Sequence, residues 1–234
     1  HSYNIFTHVP KVCKPNWINN AKENTMFETM HKEIKKAVIR SQHTQRNWDL
    51  SKEIPQDDLD LFVHTVTNCP SKQNFAFYNA HFITDRKIIE KIHDLSLGLG
   101  YQNEQGERVE CTNPQTLANL LVVFEEATMS EEYWKKFALR DTSSKRILER
   151  DRDMAIGIAA GYLNVTAAMM HYQTGCCACY DEQGVKDLLD LENKPILIMG
   201  VGYKDPNRQR REHHTDGVKI QRRIKEKIKT QFYI

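Results

Sequence analysis

The sequence predicts an α+β domain. Three observations carry this: two early segments with helical periodicity, short apolar runs of strand length, and a long alanine- and glycine-rich segment between the last two of those runs. Such elements make a few strands flanked by several helices, with long helices in the middle. The pattern by itself specifies no activity.

Residues 1–23 show no clear period and contain Pro10, Pro15 and Trp17, so they read as an arm that packs on something. Thr25-x-x-Glu28 has the capping-box form, a hydroxyl for one orphan N–H and a carboxylate reaching back to another. Phe27, Met30, Ile34 and Ala37 then mark one face of a helix running to about Arg40. Pro55, followed by Gln56, Asp57 and Asp58, opens a second helix with Leu59, Phe62, Val63 and Val66 on its buried side. Residues 80–84 and 117–125 are strand candidates, with a helix from Asp85 and a polar loop between them.

Residues 155–170 hold Ala155, Gly157, Ala159, Ala160, Gly161, Ala167 and Ala168, which predicts a central helix buried nearly all round, with Gly175 as its stop. Asp181 caps a short helix through Leu189, and residues 195–203 have the continuous apolar run of an interior strand. In the tail, Ile220, Ile224 and Ile228 recur every fourth residue and predict a helix with one apolar edge.

At 234 residues the chain is long enough for one sizeable core. No apolar stretch approaches the roughly 20 residues of a bilayer span, and the opening residues lack the charged-then-apolar layout of an export signal. Six cysteines, at 13, 69, 111, 176, 177 and 179, therefore read as reduced thiols in a cytoplasmic setting. The net charge of +2 is unevenly spread. Between Lys204 and Lys229 ten basic residues face four acids, a local +6 that leaves −4 for the remainder. A basic tail of this kind suits phosphate, nucleic acid or an acidic partner surface.

Two polar loops carry the candidate chemistry. His43-Thr44-Gln45-Arg46-Asn47-Trp48 follows the first helix and sets a hydroxyl two residues from a guanidinium, a reasonable anion cradle, although a solvated loop reads the same way. Cys69-Pro70-Ser71-Lys72-Gln73-Asn74 follows the second helix, with proline fixing a turn and Ser and Asn as hydrogen-bonding groups; alone it is also an ordinary helix terminator.

In this order and spacing, a Ser/Thr-x-Lys/Arg-x-aromatic segment and then a Pro-Ser-x-x-Asn loop leading into a strand, the chain resembles the flavin-dependent nitroreductase family. The inner strand at 117–124, the small-residue helix at 155–170 and Gly200-Val201-Gly202-Tyr203 are similar to further parts of that family, so the resemblance covers about residues 26–211.

The resemblance implies a nitroreductase-like fold, with a mostly antiparallel central sheet, in a homodimer built on long central helices. It implies an arm at 1–25, an FMN-binding domain at 26–211 and a basic extension at 212–234 that packs on the dimer. FMN would lie between the subunits, with NAD(P)H as reductant and a small, aromatic acceptor of nitro or quinone type.

Carried over by position, Gln42, His43 and Thr44 would contact the phosphate and ribityl chain, and Arg46 the pyrimidine edge, where a fixed cation stabilises the charge gathered on reduction. Pro70, Ser71 and Asn74 would reach in from the partner. Asn113 and Gln115 would place side-chain amides on the ring, and Cys177 and Ala178 fall where backbone approaches N5. Arg210 and Arg211 match the phosphate clamp, with Lys219 the substitute if the gap is longer. The flavin carries the chemistry, so no nucleophile and no metal are implied.

Two positions depart from the family pattern. Gln42 stands where arginine is usual, a loss of about 1.5–3 kcal/mol of charge-assisted contact unless a tail arginine or nearby Arg40 replaces it. Phe75-Ala76-Phe77-Tyr78 stands where Gln-Pro-aromatic usually follows the second loop, which affects the pocket floor.

Other readings compete. Cys176-Cys177-x-Cys179, with His171, invites zinc, but a single compact cluster lacks the second, separated pair; redox-active thiols are a further reading. The basic tail invites a nucleic-acid-binding module, against which its isoleucine stripe favours packing on protein. A dehalogenating or flavin-consuming flavoprotein is the neighbouring alternative within the family.

Overall fold

The computed structural model describes residues 21–97, 99–102, 105–130, 132, 145–213 and 224–233. Most of the expected N-terminal arm, Ile220 and Lys219 lie outside the described residues. The described elements are α1 (Ala21–Ser41), α2 (Gln56–Thr67), β1 (Tyr78–Ile83), α3 (Arg86–Asp94), β2 (Leu99–Gln102), β3 (Arg108–Cys111), β4 (Leu120–Glu126), α4 (Lys145–Met169), β5 (Gln173–Cys177), α5 (Glu182–Leu189) and β6 (Pro195–Gly202). Short 3-10 turns at Lys72–Asn74 and Pro114–Leu117 precede β1 and β4.

Four strands form one antiparallel sheet in the order β1-β4-β6-β5, and β2 and β3 form a separate hairpin. β4 and β6 are interior strands and bury both faces, which is why their sequences are apolar without alternation. Leu120, Val122 and Phe124 point to a layer with Phe62 and Val66 of α2 and Ile156, Ala159 and Leu163 of α4. Leu121 and Val123 point to the opposite layer, with Ile89 and Ile92 of α3 and Val185 of α5. Helices on both faces of the sheet make an α+β domain with three layers.

Local chemistry explains where the helices begin. Asp85 accepts from the N–H groups of Lys87 and Ile88, and Asp181 from those of Gln183 and Gly184, so each carboxylate satisfies two orphan donors. α2 starts after Pro55 with Asp57 and Asp58 in its first turn.

Several elements differ from expectation. α1 begins at Ala21, so Thr25 lies inside the helix and accepts from the Thr29 hydroxyl through its carbonyl instead of capping. Val63 of α2 is exposed, because the helix turns Leu59, Phe62 and Val66 toward the core. α4 ends at Met169, where His171 takes a left-handed φ of 68°, and Gly175 lies inside β5. The helix is also not buried all round: Met154, Gly157, Ile158, Gly161, Tyr162 and Met169 form an exposed stripe. Residues 224–233 adopt no helix, and Ile224 and Ile228 are exposed. The β2–β3 hairpin and β5 are elements the sequence reading did not separate.

Candidate functional site

Four segments meet at the end of the sheet where β5 begins and β6 ends. The loop after α1 runs along this end: Thr44 bridges Thr174 in parallel, the Gln45 N–H donates to the Thr174 carbonyl at 2.8 Å, and Trp48 bridges Lys204. The segment 113–117 lies beneath it, held by the Trp48 indole N–H on the Pro114 carbonyl at 2.9 Å. Residues 205–213 close the far side.

Glycine permits this stacking at two points. A Cβ on Gly175 would meet the Gln45 carbonyl oxygen at 2.9 Å, and one on Gly200 would meet the Gln115 carbonyl oxygen at 2.4 Å. Either methyl would push backbone away from the sheet, so the two glycines let the first loop and the 113–117 segment pack against it.

Within this neighbourhood lie most of the expected residues. Gln42 and His43 are exposed on the last turn after α1, their N–H groups on the Ile39 and Arg40 carbonyls. Thr44 and Arg46 are half-buried. Arg46 adds to burial in holding His213 below the usual histidine range, against the Thr112 carbonyl that accepts from His213 Nε2 at 2.8 Å. Asn113 is buried and saturated: its Oδ1 accepts from the Gln115 N–H at 3.0 Å, and its Nδ2 faces Cys177 Sγ at 2.9 Å and Gln115 Oε1 at 3.3 Å. The amide nitrogen of Gln115 makes no hydrogen bond within the described chain, so of the two amides it is the one left to face a ligand.

Burial pushes the Cys177 thiol up to about 11, so it stays protonated at neutral pH. Ala178, Cys176 and Cys179 are exposed beside it, and among the described residues no group of His, Cys, Asp and Glu is arranged to hold a metal ion. Arg210 and Arg211 occupy the centre of a turn, half-buried, and neither guanidinium has a hydrogen-bond or ion-pair partner among the described residues. Arg40, the neighbour of the Gln42 departure, turns to His171 instead, with Nη1 3.2 Å from its Nδ1.

Pro70, Ser71 and Asn74 are elsewhere. Their loop precedes β1, and Lys72 pairs with the buried carboxylate of Asp151 near the start of α4. Ser71 Oγ accepts from the Ala76 N–H at 2.8 Å, and Gln73, Asn74, Ala76 and Phe77 all take positive φ between 55° and 70°. The Thr44 loop meets α4 near its other end, where the Thr174 hydroxyl donates to the Asn164 side chain and Asn164 Nδ2 to the Ser41 carbonyl at 3.1 Å. Asp151 and Asn164 are separated by about 20 Å along the helix at 1.5 Å per residue. Within one chain the two loops do not meet.

Sequence reading missed Asn47, His93 and Thr112. His93 is buried, its Nδ1 3.1 Å from the Asn113 carbonyl and its Nε2 2.7 Å from the Thr112 hydroxyl, so it props the 113–116 turn as a neutral ring. A histidine in the last turn of a helix gives no sequence signal of that role. Asn47 sits inside the first loop, where its polarity concealed its burial.

A polar cradle at one end of an antiparallel sheet, with cations on two sides, suits an anionic ligand, and the family match gives its class as an FMN-dependent oxidoreductase. The nitroreductase family model matches residues 39–203, and the chain belongs to the nitroreductase family. Similar solved structures include a nitroreductase family protein from Streptococcus pneumoniae TIGR4, at 18% identity over 76% of this chain and 92% of that one, with a TM-score of 0.55. Another, from Staphylococcus epidermidis ATCC 12228, carries the provisional name NAD(P)H:FMN oxidoreductase and aligns at 14% identity over 80% of this chain and 92% of that one, TM-score 0.57. A third is CLA-ER, named an enone reductase of gut-bacterial fatty acid saturation, at 13% identity over 74% and 90%, TM-score 0.54. At these identities the likenesses establish the fold. No curated protein matches the chain.

Proposed function

We propose that the chain works as a homodimer with one FMN at each of two sites shared between subunits, and that it passes reducing equivalents from NAD(P)H to a small, aromatic acceptor of nitro or quinone type. The observation that carries this reading is the separation of the two loops along α4. The Thr44 loop and the Ser71 loop each hold part of the expected contacts and lie at opposite ends of one helix. The exposed stripe of α4, centred on Gly157, Ile158 and Gly161, lies between them. A two-fold axis near Gly157 and Ile158 would set Asp151 of the partner subunit opposite Asn164, and with it the Ser71 loop opposite the Thr44 loop. Exposed Met26, Phe27, Met30 and Ile34 on α1 extend the uncovered apolar surface.

The residues present fit FMN. The Thr44 hydroxyl and the unpartnered Arg210 and Arg211 suit a phosphate dianion. The Gln115 amide and Arg46 suit the polar edge of the ring, and Gly175 and Gly200 let the Thr44 loop and the 113–117 segment that carry them pack against the sheet. Bound FMN would supply hydride exchange at its N5 between the nicotinamide and the acceptor. The chain's own part is to orient both reactants, to hold positive charge near the pyrimidine edge through Arg46, and to exclude water with the partner's loop.

No described helix is long and apolar enough to cross a membrane, and a cytoplasmic setting is part of the proposal. The expected packing of residues 212–234 on the dimer belongs to it too, because exposed Phe232, Tyr233, Ile224 and Ile228 lack cover in one chain.

Mixed dimers test the shared site. Arg46→Ala and Asn74→Ala should each lower FMN retention when made alone. A mixed dimer of the two variants should regain one site of native affinity, read by flavin absorbance per dimer. No regain would refute sharing across the seam. A purified protein that stays colourless with added FMN would refute the cofactor, and NAD(P)H oxidation unaffected by nitroaromatics and quinones would refute the acceptor class.

A further inference from the structure

One side chain joins the Thr44 loop to the turn that carries Arg210 and Arg211. Asn47 is 3% exposed, and its Nδ2 donates to the carbonyls of Gln209, at 2.7 Å, and Glu212. Its backbone carbonyl accepts from the Asp205 N–H at 3.1 Å and from the Gln45 amide. The turn is closed by the Glu212 N–H on the Gln209 carbonyl at 2.9 Å and by the Glu212 carboxylate on the Gln209 N–H at 3.1 Å. Arg210 and Arg211 are therefore the two central residues of a turn gripped at both ends by one amide.

This grip has an electrostatic consequence. Glu212, the nearest acid in sequence, has its carboxylate engaged on backbone, and both guanidiniums have no partner among the described residues. Two adjacent cations repel unless an anion meets them, and a turn fixed in advance spares the anion the entropy of ordering it.

We infer that Asn47 is a positioning residue that makes the site select phosphorylated over unphosphorylated flavin. The inference rests on the FMN reading above and adds the residue through which the chain distinguishes FMN from riboflavin. Asn47 touches neither flavin. It acts by tying the turn of Arg210 and Arg211 to the loop that carries His43 and Thr44, where the phosphate would arrive. Aspartate at this position would set a carboxylate against two carbonyls and open the turn, whereas alanine would only release it.

The test measures binding of FMN and of riboflavin to the apoprotein by quenching of flavin fluorescence, for the wild type, Asn47→Ala, Asn47→Asp and the double variant Arg210→Gln/Arg211→Gln. Wild type should favour FMN strongly. Asn47→Ala should weaken FMN about tenfold and Asn47→Asp further, while riboflavin affinity stays within about twofold, since one lost charge-assisted contact is worth about that much. The arginine double variant should show the same selective loss, and adding Asn47→Asp to it should change FMN affinity little. Parallel loss of both flavins, or unchanged FMN affinity, overturns the inference. Failure of the wild type to bind either flavin instead overturns the cofactor reading. Should the Asn47 variants not fold, hydrogen exchange in the wild type decides: FMN but not riboflavin must protect the amides of residues 209–212, and equal protection overturns the inference.

Discussion

The two faces of α4 are made from similar residues and meet opposite fates. One face sets Ala155, Ile156, Ala159, Leu163 and Ala167 against the sheet, all buried. The other sets Met154, Gly157, Ile158, Gly161, Tyr162 and Met169 outward. Composition does not distinguish them, since each face mixes small and large apolar groups. The difference lies in what stands opposite: the first face packs in one core with β4 and β6, and the second stays exposed among the described residues. An apolar helix face with glycines spaced four apart and no cover is a surface waiting for another surface.

Substitutions on the two faces should therefore separate folding from association. The largest effect expected is from Ile158→Glu, which would bring like charges together at the proposed two-fold contact and cost the proposed dimer several kcal/mol. Sedimentation should show monomers that retain native circular dichroism but have lost FMN. A dimer unaltered by this change would break the contrast between the faces. Leu163→Ala on the buried face should cost about 2–5 kcal/mol of stability, read from urea unfolding, because it opens a cavity under the sheet. At a temperature where the variant stays folded, its subunit affinity should be little altered.

Asp151→Asn, at the junction of helix and loop, should cost about 1–3 kcal/mol through the lost charge pairing with Lys72. It should weaken flavin retention while sedimentation still reports dimers. The smallest effect sharpens the comparison most. A Cβ on Gly157 would meet nothing within 4 Å in the chain. Gly157→Ala should therefore stabilise the helix by about 1 kcal/mol on propensity alone. Weaker subunit association in the same variant, read by dilution, would mark that open space as the partner's.

Much of this organisation is legible in the sequence. Asp85 and Asp181 advertise their helices because a carboxylate before a helix start has an evident partner in the first-turn N–H groups. β4 and β6 are legible because a strand covered on both faces needs no polar residues. The two loops of the site are legible through their order. What escaped has physical reasons. The open face of α4 reads as core because apolar residues look the same whether the chain or a second copy covers them. Gly175 reads as a helix stop because glycine commonly ends helices, yet His171 takes the left-handed turn and Gly175 serves a close backbone approach. The turn from Gln73 to Phe77 has four positive φ values and no glycine, so its shape is set by packing, with Lys72 held on Asp151, and not by local preference. Asn47 escaped because a polar side chain in a polar loop suggests solvent, whereas its amide spans two distant carbonyls.

That span orders events as the protein is made. Asn47 finds its acceptors 162 and 165 positions later in the chain. Synthesis runs from the first loop to the last turn, and contacts so distant in sequence close late in folding. A growing chain presents Asn47 long before the carbonyls of Gln209 and Glu212 exist to meet it. The turn from Gln209 to Glu212 is thus fixed only in chains elongated past its last residue.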